Sequence, residues 1–157
     1  MAAAQEQTKR GHEEPFATQF SVFLVNRIGQ LGELLRMFDD EELVTMGMSV
    51  IDSTDWAVLR VVFSDPGKGR VMLRREDYRF TESSVLLVEM PTQETLTDVC
   101  SLLMRAELSI HFAYTLAEHS RGNPVMVLHV DDHTLACHAL TRHGYTLLGD
   151  EDLADPT

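Results

Sequence analysis

Hydrophobic residues recur along the chain at two spacings, and these spacings predict its secondary structure. The segment Gln19 to Val25 (QFSVFLV) is an apolar run with the β-branched and aromatic content of a buried strand. Four apolar residues follow at the i, i+3, i+4, i+7 spacing of one helix face, namely Leu31, Leu34, Leu35 and Phe38. The pattern therefore predicts a strand, a short loop and an amphipathic helix.

Four more elements are predicted in the first half of the chain. They are a second strand with Val44, Met46, Met48 and Val50 on one face, a third strand at Trp56 to Phe63, a helix from Asp65 to about Asp77, and a short fourth strand at Tyr78 to Thr81. Asp65 and Pro66 mark the helix start, because an aspartate caps free N–H groups and a proline fits the first turn. This half is thus predicted to be β-α-β-β-α-β.

The same order of elements then repeats with almost no linker. The second copy consists of a strand at Ser84 to Met90, a helix with Leu96, Val99, Cys100 and Leu103 on one face, strands at Ser109 to Leu116 and Val125 to Val130, and a helix that opens at Asp131 and Asp132 and carries Ala136, Cys137 and Leu140. The repeat length is about 66 residues, obtained by matching the helix stripes. A βαββαβ unit is ferredoxin-like, so we expect an α+β protein of two tandem ferredoxin-like repeats with antiparallel sheets and helices packed on one face.

The duplication divides the chain into four parts. We expect a disordered N-terminal tail at 1–16, a first repeat at 17–82, a second repeat at 83–152 and a C-terminal tail at 153–157. The predicted core is Val22, Leu24, Leu31, Leu34, Leu35, Phe38, Leu59 and Val61 in the first repeat, with Leu96, Val99, Leu103, Val127 and Leu140 in the second. One such sheet leaves its other face or an edge uncovered, and two repeats can cover each other by sheet extension or by packing face to face, which is a structural reason for the duplication.

Composition and charge exclude several classes of function. The chain has 25 acidic and 13 basic side chains, and its formal charge of −12 repels phosphate backbones, so no nucleic-acid partner is expected. No apolar run approaches the roughly 20 residues of a membrane helix, and the N-terminus has no apolar signal segment, so we expect a cytoplasmic protein with no membrane partner. Cys100 and Cys137 lie in helical patterns and are expected to be reduced and buried.

The loop between the first strand and the first helix carries the resemblance to a known family. Its sequence, Asn26 to Leu31, is NRIGQL. The ACT domain, a small amino-acid-sensing module of the βαββαβ type, has at this point Asn or Asp, any residue, Pro, Gly, any residue and Leu. Asn26, Gly29 and Leu31 match this pattern, and Ile28 stands in place of the proline. With two copies in tandem, the chain resembles the small stand-alone tandem ACT domain proteins of bacteria.

This resemblance implies a ligand site in the same loop. The residues that it implicates are Asn26, Arg27, Ile28, Gly29, Gln30 and Leu31. The carboxylate of an amino acid would lie at the start of the first helix, where free N–H groups and the helix dipole favour an anion. Gly29 would let the backbone approach the ligand closely, and Asn26 would bind its ammonium or carboxylate group. The matching junction of the second repeat, at 91–96, has neither the asparagine nor the glycine and is expected to be structural.

The resemblance also implies a non-catalytic regulatory module, with an amino acid as ligand, a homodimeric assembly and a regulated partner protein. The alternative is a scaffold or protein–protein interaction module in which the pocket has decayed. Asn26 and Gly29 would then serve only the turn from strand to helix. Ile28 favours this alternative, as does Val44, which stands where the family often has a second asparagine.

Other candidate chemistry in the sequence is weaker. His111, His119, His129, His133, His138 and His143 all lie after residue 110, and His133 and Cys137 have the i, i+4 spacing that can place two ligands on one metal ion. A zinc site needs three or four ligands, and nothing in the sequence brings the others together, so no metal or other cofactor is predicted. The chain has no phosphate-binding loop, nucleophile elbow or H-E-x-x-H motif, so it is not predicted to be an enzyme. A metal-dependent enzyme that uses His133 is the least favoured alternative.

Overall fold

The computed structural model describes residues 16–25, 28–117 and 122–153, so both predicted tails lie largely outside the described residues. In chain order, the elements are β1 (Ala17–Val25), α1 (Gln30–Asp40), β2 (Thr45–Asp52), β3 (Trp56–Phe63), α2 (Pro66–Arg75), β4 (Arg79–Glu89), α3 (Glu94–Arg105), β5 (Ile110–Thr115), β6 (Val125–Val130), α4 (His133–Arg142), β7 (Leu147–Leu148) and α5 (Asp150–Leu153). Across these ranges, no helix has the length and apolar character of a membrane span.

The strands form one antiparallel sheet that contains two ferredoxin-like halves. The strand order is β2-β3-β1-β4-β6-β5, and β7 also pairs with β4. The first half is therefore β2-β3-β1-β4 with α1 and α2, and the second is β7-β4-β6-β5 with α3 and α4. On β4, Phe80 packs against the helices of the first half, while Leu86 and Val88 pack against those of the second. All three residues have the same parity along the strand, so both pairs of helices cover the same face, as predicted.

The two halves share strand β4. Its first part pairs with β1, from Arg79 opposite Phe23 to Val85 opposite Ala17, and its second part pairs with β6 and β7. The sequence predicted two separate strands here, at 78–81 and 84–90, and this was wrong. No glycine or proline interrupts the segment, so the chain passes from one half to the next without a turn. The boundary proposed at 82/83 falls inside this strand and stays a prediction.

Three apolar clusters hold the fold together. The first lies between α1, α2 and their strands, the second between α3, α4 and theirs, and the third on the opposite face of the sheet, where the two halves meet. Ten predicted core residues are buried: Val22, Leu24, Leu34, Phe38, Leu59, Val61, Val99, Leu103, Val127 and Leu140. Leu31 and Leu35 are half-buried against the first cluster. The prediction for Leu96 was wrong, because its side chain is 40% exposed near the start of α3.

The sheet curves so that its two edge strands come into contact. The Ala117 N–H, just after β5, donates a 2.7 Å hydrogen bond to the Met46 carbonyl of β2. A β-bulge between Thr45 and Gly47 shifts the register of β2 at this point. Because of the bulge, Met46 joins the third cluster, whereas Met48 pairs with Val61 of the first cluster. The prediction that all four apolar residues of this strand share one face was therefore wrong.

The helix starts predicted from aspartate are confirmed. The Asp65 carboxylate accepts a 3.1 Å hydrogen bond from the Lys68 N–H, and Asp132 accepts one of 3.0 Å from the Leu135 N–H. The prediction for the cysteines was half right, because Cys137 is buried in the second cluster but Cys100 is exposed.

Candidate functional site

The predicted site begins where β1 ends. Asn26 and Arg27 lie outside the described residues. The side chain of Ile28 is fully exposed, Gly29 is the N-cap of α1, and Gln30 is its first residue. The structure therefore places the described part of the predicted loop at the start of a helix, where N–H groups without a helical partner are available to an anion.

Gly29 has a backbone conformation that favours glycine. Its φ is 88° and its ψ is −11°, which is the left-handed region. A Cβ atom added at Gly29 would meet nothing within 4 Å, so the requirement for glycine comes from the backbone and not from crowding. The conformation aims the chain from β1 into α1 and leaves open space beside the helix start.

Gln30 carries an unpaired acceptor at the same place. Its Oε1 atom is buried and has no hydrogen-bond partner among the residues that the structure describes. A buried amide oxygen without a partner is costly, so a donor supplied by a ligand would be favourable there. Leu31 instead turns toward the first apolar cluster and helps to anchor the helix.

A cleft opens at the same end of the sheet. It has a volume of about 420 Å³ and is lined by Phe23, Leu24, Val25, Trp56 and Arg79. These residues come from the end of β1, the start of β3 and the start of β4, which lie side by side because Val25 pairs with Trp56 and Phe23 pairs with Arg79. The cleft is thus mostly apolar, with one cation at its edge, and it lies directly before the predicted loop.

The junction of the second half also carries a cleft, which the sequence did not predict. Its volume is about 350 Å³, and its lining is Met90, Pro91, Thr92, Gln93, Leu96, Thr115, Pro124, Val125 and Met126. The exposed Leu96 is one of its walls, which accounts for the failed core prediction at this position. The backbone differs from the first junction, because Gln93 caps α3 in the right-handed conformation, with a φ of −66°. Each junction therefore has its own cleft, but the helix that follows starts with a different backbone conformation in each.

Comparison with known proteins identifies the family. The family model of the ACT domain pair matches residues 16–156, which is nearly the whole chain. The chain belongs to the ACT domain pair family. This match confirms the resemblance inferred from the loop sequence and the duplicated order of elements.

Solved structures show the same fold. The protein BT0572 from Bacteroides thetaiotaomicron is 23% identical, has a TM-score of 0.80, and aligns over 89% of this chain and 96% of its own. The regulatory subunit of aspartate kinase from Thermus thermophilus, in its ligand-free form, is 8% identical with a TM-score of 0.57 over 82% of this chain and 93% of its own. That from Thermus flavus is 9% identical with a TM-score of 0.50 over 80% and 90%. No curated protein sequence matches the chain.

Within this ACT domain pair, sequence reasoning missed the walls of the first cleft. Phe23, Trp56 and Arg79 are far apart in the chain and meet only through strand register. One signal was available in the sequence. Trp56 is the only tryptophan, and it begins a predicted strand, so its large side chain lies at an end of the sheet, where it is less covered by neighbouring strands.

Three histidines of the second ACT repeat lie close together, whereas nothing in the sequence suggested that any of them would meet. They are His111, His129 and His133, while His119 lies outside the described residues. Cys137, the proposed companion of His133, is buried in the second cluster. In the described parts of the chain, no three His, Cys, Asp or Glu side chains are arranged to hold a metal ion.

Proposed function

We propose that this ACT domain pair is a non-catalytic regulatory module that binds a small amino acid or a related metabolite at its first strand–helix junction, residues 26–31. The observation that carries the proposal is the coincidence of three features at one place. These are the left-handed Gly29 at the helix start, the unpaired Oε1 of Gln30, and the cleft of about 420 Å³ at the end of β1, the strand that leads into this loop.

The proposed binding mode gives each part of an amino acid a different partner. The carboxylate would lie against the N–H groups at the start of α1, where the helix dipole favours an anion. The ammonium group would donate a hydrogen bond to Gln30 Oε1, with Asn26 as a further partner. The side chain would enter the cleft beside Val25 and Trp56, where apolar surface favours aliphatic or aromatic groups.

The test is a thermal-shift screen of the whole chain with the twenty amino acids. At about 100 times the dissociation constant, a ligand should stabilise the fold by about 2.7 kcal/mol, which raises Tm by several degrees. Trp56 provides a second signal, because it is the only tryptophan and lines the cleft, so a bound ligand should change its fluorescence. A ligand found in both assays would support the proposal.

The control compares two glycines with the same backbone conformation. Gly29 has a φ of 88° and Gly144, after α4, has a φ of 85°, and a Cβ at either position would meet nothing within 4 Å. Gly29→Val and Gly144→Val therefore add similar backbone strain, but only the first disturbs the proposed site. We expect Gly29→Val to lose the ligand-induced shift and Gly144→Val to keep it. Equal loss in both variants, or no shift with any amino acid, would contradict the proposal.

We also propose that the module acts in the cytoplasm as a homodimer that passes its signal to a regulated partner protein. The sheet face of the first half leaves Phe23, Val25, Ile51 and Trp56 partly exposed, and such patches are commonly covered by another chain. Light scattering should give twice the monomer mass of 17.7 kDa at micromolar concentration. A clean monomer mass would contradict the dimer.

A second candidate function is a ligand-free scaffold. The same exposed apolar residues, together with the fully exposed Ile28, favour a surface used for protein contacts. In that case the amino acids would cause no shift in Tm, while substitution of Trp56 or Ile51 by polar residues would change the oligomeric state.

A further inference from the structure

A cluster of aromatic and imidazole rings lies at one end of the second half. His129 of β6 stacks on Phe112 of β5, with ring centroids 4.8 Å apart and an angle of 14° between the rings. His111 lies 5.5 Å from His129, and His133, the first residue of α4, meets His129 edge-on at 4.9 Å. Two other imidazoles and the Phe112 ring are thus within contact distance of the His129 ring.

A β-bulge creates this arrangement. Along β5 and β6, Ile110 pairs with Val130 and Phe112 pairs with His129, so His111 is an extra residue without a cross-strand partner. A bulge lets two consecutive side chains face one residue of the neighbouring strand. Both His111 and Phe112 therefore contact His129, which regular alternation would not allow.

The cluster also joins the two halves of the molecule. Arg60 lies on β3 of the first half. Its guanidinium carbon is 3.8 Å from the centroid of the Phe112 ring, on which His129 also stacks. His133 contacts Phe16, which precedes β1, at 6.1 Å between ring centroids, and it hydrogen-bonds to the backbone of Ser84 in the shared strand. The stack thus runs from Arg60 through Phe112 and His129 to His133.

The surroundings of these imidazoles mostly oppose a positive charge. Burial lowers the pKa of His129, and His133, His111 and Arg60 lower it further. Burial also lowers the pKa of His133, as does His111, while Asp132 and the hydrogen bond to Ser84 act in the opposite direction. His133 is also at a helix start, where a cation is unfavourable.

The hydroxyl of Tyr114 stays neutral, since burial raises its pKa. Among the described residues, His129 Nδ1 and His133 Nε2 are buried with no hydrogen-bond partner. A proton added to either atom would therefore find no hydrogen-bond acceptor among these residues, so the cost of burying the charge would not be offset.

We propose that the cluster of His111, His129 and His133 is a pH-sensitive joint, in which protonation sets imidazolium charges against Arg60 and weakens the packing of the two halves. In the neutral state, His129 continues the stack that Arg60 and Phe112 begin. In the protonated state, the Arg60 guanidinium and the His129 imidazolium, two like charges, are both packed against the Phe112 ring. We expect the nearby contact between β2 and β5, which includes the hydrogen bond from Ala117 to Met46, to open as a result.

The direction of the effect follows from the lowered pKa values. An unfolded chain takes up these protons near the ordinary histidine pKa of 6.5, whereas the folded chain takes them up only at lower pH. The unfolded state therefore binds more protons in this interval, and stability falls as pH drops below 6.5 until the folded-state pKa is reached. Well above pH 6.5, His129 and His133 are neutral in both states and add no pH effect.

The test measures Tm of the whole chain at pH 8.0 and pH 5.5. His129→Phe keeps an aromatic ring on Phe112 but cannot take up a proton, and Arg60→Met removes the facing charge while keeping its length. Wild type should lose about 3 °C more than His129→Phe over this interval, and Arg60→Met should fall between them. The matched control is His143→Gln, which removes an exposed histidine outside the cluster and should lose as much as wild type.

Hydrogen exchange shows where the molecule opens. The Ala117 amide donates its hydrogen bond to Met46 across the contact of β2 with β5. Between pH 8.0 and pH 5.5, its protection factor, which is corrected for intrinsic exchange, should fall about fivefold more than the protection factors of amides inside β3. In His129→Phe this relative loss should disappear. Equal loss of Tm in wild type and His129→Phe, or equal protection of Ala117 in both, would overturn the proposal.

Discussion

At the scale of single residues, the packing of α2 depends on the absence of a side chain at Gly69. A Cβ atom there would lie 2.6 Å from Cε2 of Phe63, a fully buried ring that also contacts Phe20 and Phe38. Real Cβ contacts are never this short, so either the ring or the helix would have to move. Close approach of the helix to β3 is the physical reason for glycine at this position.

We expect Gly69→Ala to lower the free energy of unfolding by about 1–3 kcal/mol, because a methyl group would overpack the first cluster. Gly67 in the same helix supplies the control, since its Cβ would meet only Asp65 Oδ1 at 3.5 Å. Gly67→Ala should leave stability unchanged or raise it by roughly 0.5 kcal/mol through helix propensity. Urea unfolding of both variants checks the prediction, and equal stabilities would refute it.

One ion pair gives a second prediction at this scale. Arg70 Nε donates to Glu82 Oε2 at 2.9 Å, and this hydrogen bond holds the pKa of Glu82 below its ordinary value of 4.5. Both side chains are about one-third exposed, so the pair contributes little. Glu82→Gln should cost about 0.5 kcal/mol at pH 7. Because the pKa of Glu82 is lower in the folded chain, the ion pair stabilises the fold at pH values above the pKa of the unfolded chain, and this stabilisation is lost as the pH falls through the pKa of the folded chain. The difference in stability between Glu82→Gln and wild type should therefore vanish at acid pH. It should also shrink in 1 M salt, which screens the pair.

At the scale of elements, the two halves start their second helices in the same way. Asp65 and Asp132 both have extended backbone conformations, with φ near −135° and −138°, and both accept a hydrogen bond from the third residue of the helix. An N-cap satisfies one of the donors that a helix leaves free, and this is a local property of the sequence. The duplication has therefore kept a local signal as well as the order of elements.

We expect Asp65→Ala to lower stability by about 1 kcal/mol, because the Lys68 N–H loses its acceptor. Asp65→Asn keeps an acceptor oxygen and should stay within a few tenths of a kcal/mol of wild type. Asp132→Ala should behave like Asp65→Ala, since its cap has the same geometry. Chemical denaturation of the three variants is the measurement, and an alanine variant as stable as wild type would show that the cap contributes nothing.

At the scale of the whole molecule, specific hydrogen bonds join the two halves in addition to the shared strand β4 and the third cluster. Tyr114 donates a 2.6 Å hydrogen bond to Gln19 Oε1 within the third cluster. The Thr18 N–H and hydroxyl both donate to the Asp150 carboxylate, at 2.9 and 2.8 Å. Together with the bond from Ala117 to Met46, these contacts fix how the sheet curves. The curvature determines which residues of the two halves meet.

Gly47 tests this arrangement. A Cβ there would lie 2.9 Å from Leu116 Cδ2, 3.0 Å from the Thr115 carbonyl oxygen and 3.1 Å from Leu116 Cα, so backbone as well as side chain would have to shift. We expect Gly47→Ala to cost about 1–3 kcal/mol and to reduce protection of the Ala117 amide. Gly32→Ala is the control, because a Cβ at that helix position meets nothing within 4 Å, and it should stabilise by up to about 1 kcal/mol. Gly47→Ala with wild-type stability would contradict the tight contact of β2 with β5.

The sequence by itself determined most of the elements, the order in which they repeat and the glycine at the start of α1. Periods of 2 and 3.6 residues, aspartate caps and the glycine at position 29 act over a few neighbouring residues, so the chain carries this information locally. The shared strand β4, the cleft walls Phe23, Trp56 and Arg79, and the cluster around His129 were decided only by the tertiary structure. They depend on strand register, on two bulges and on the curvature of the sheet. A one-residue change of register would turn these side chains to the other face, and no local pattern in the sequence specifies that choice.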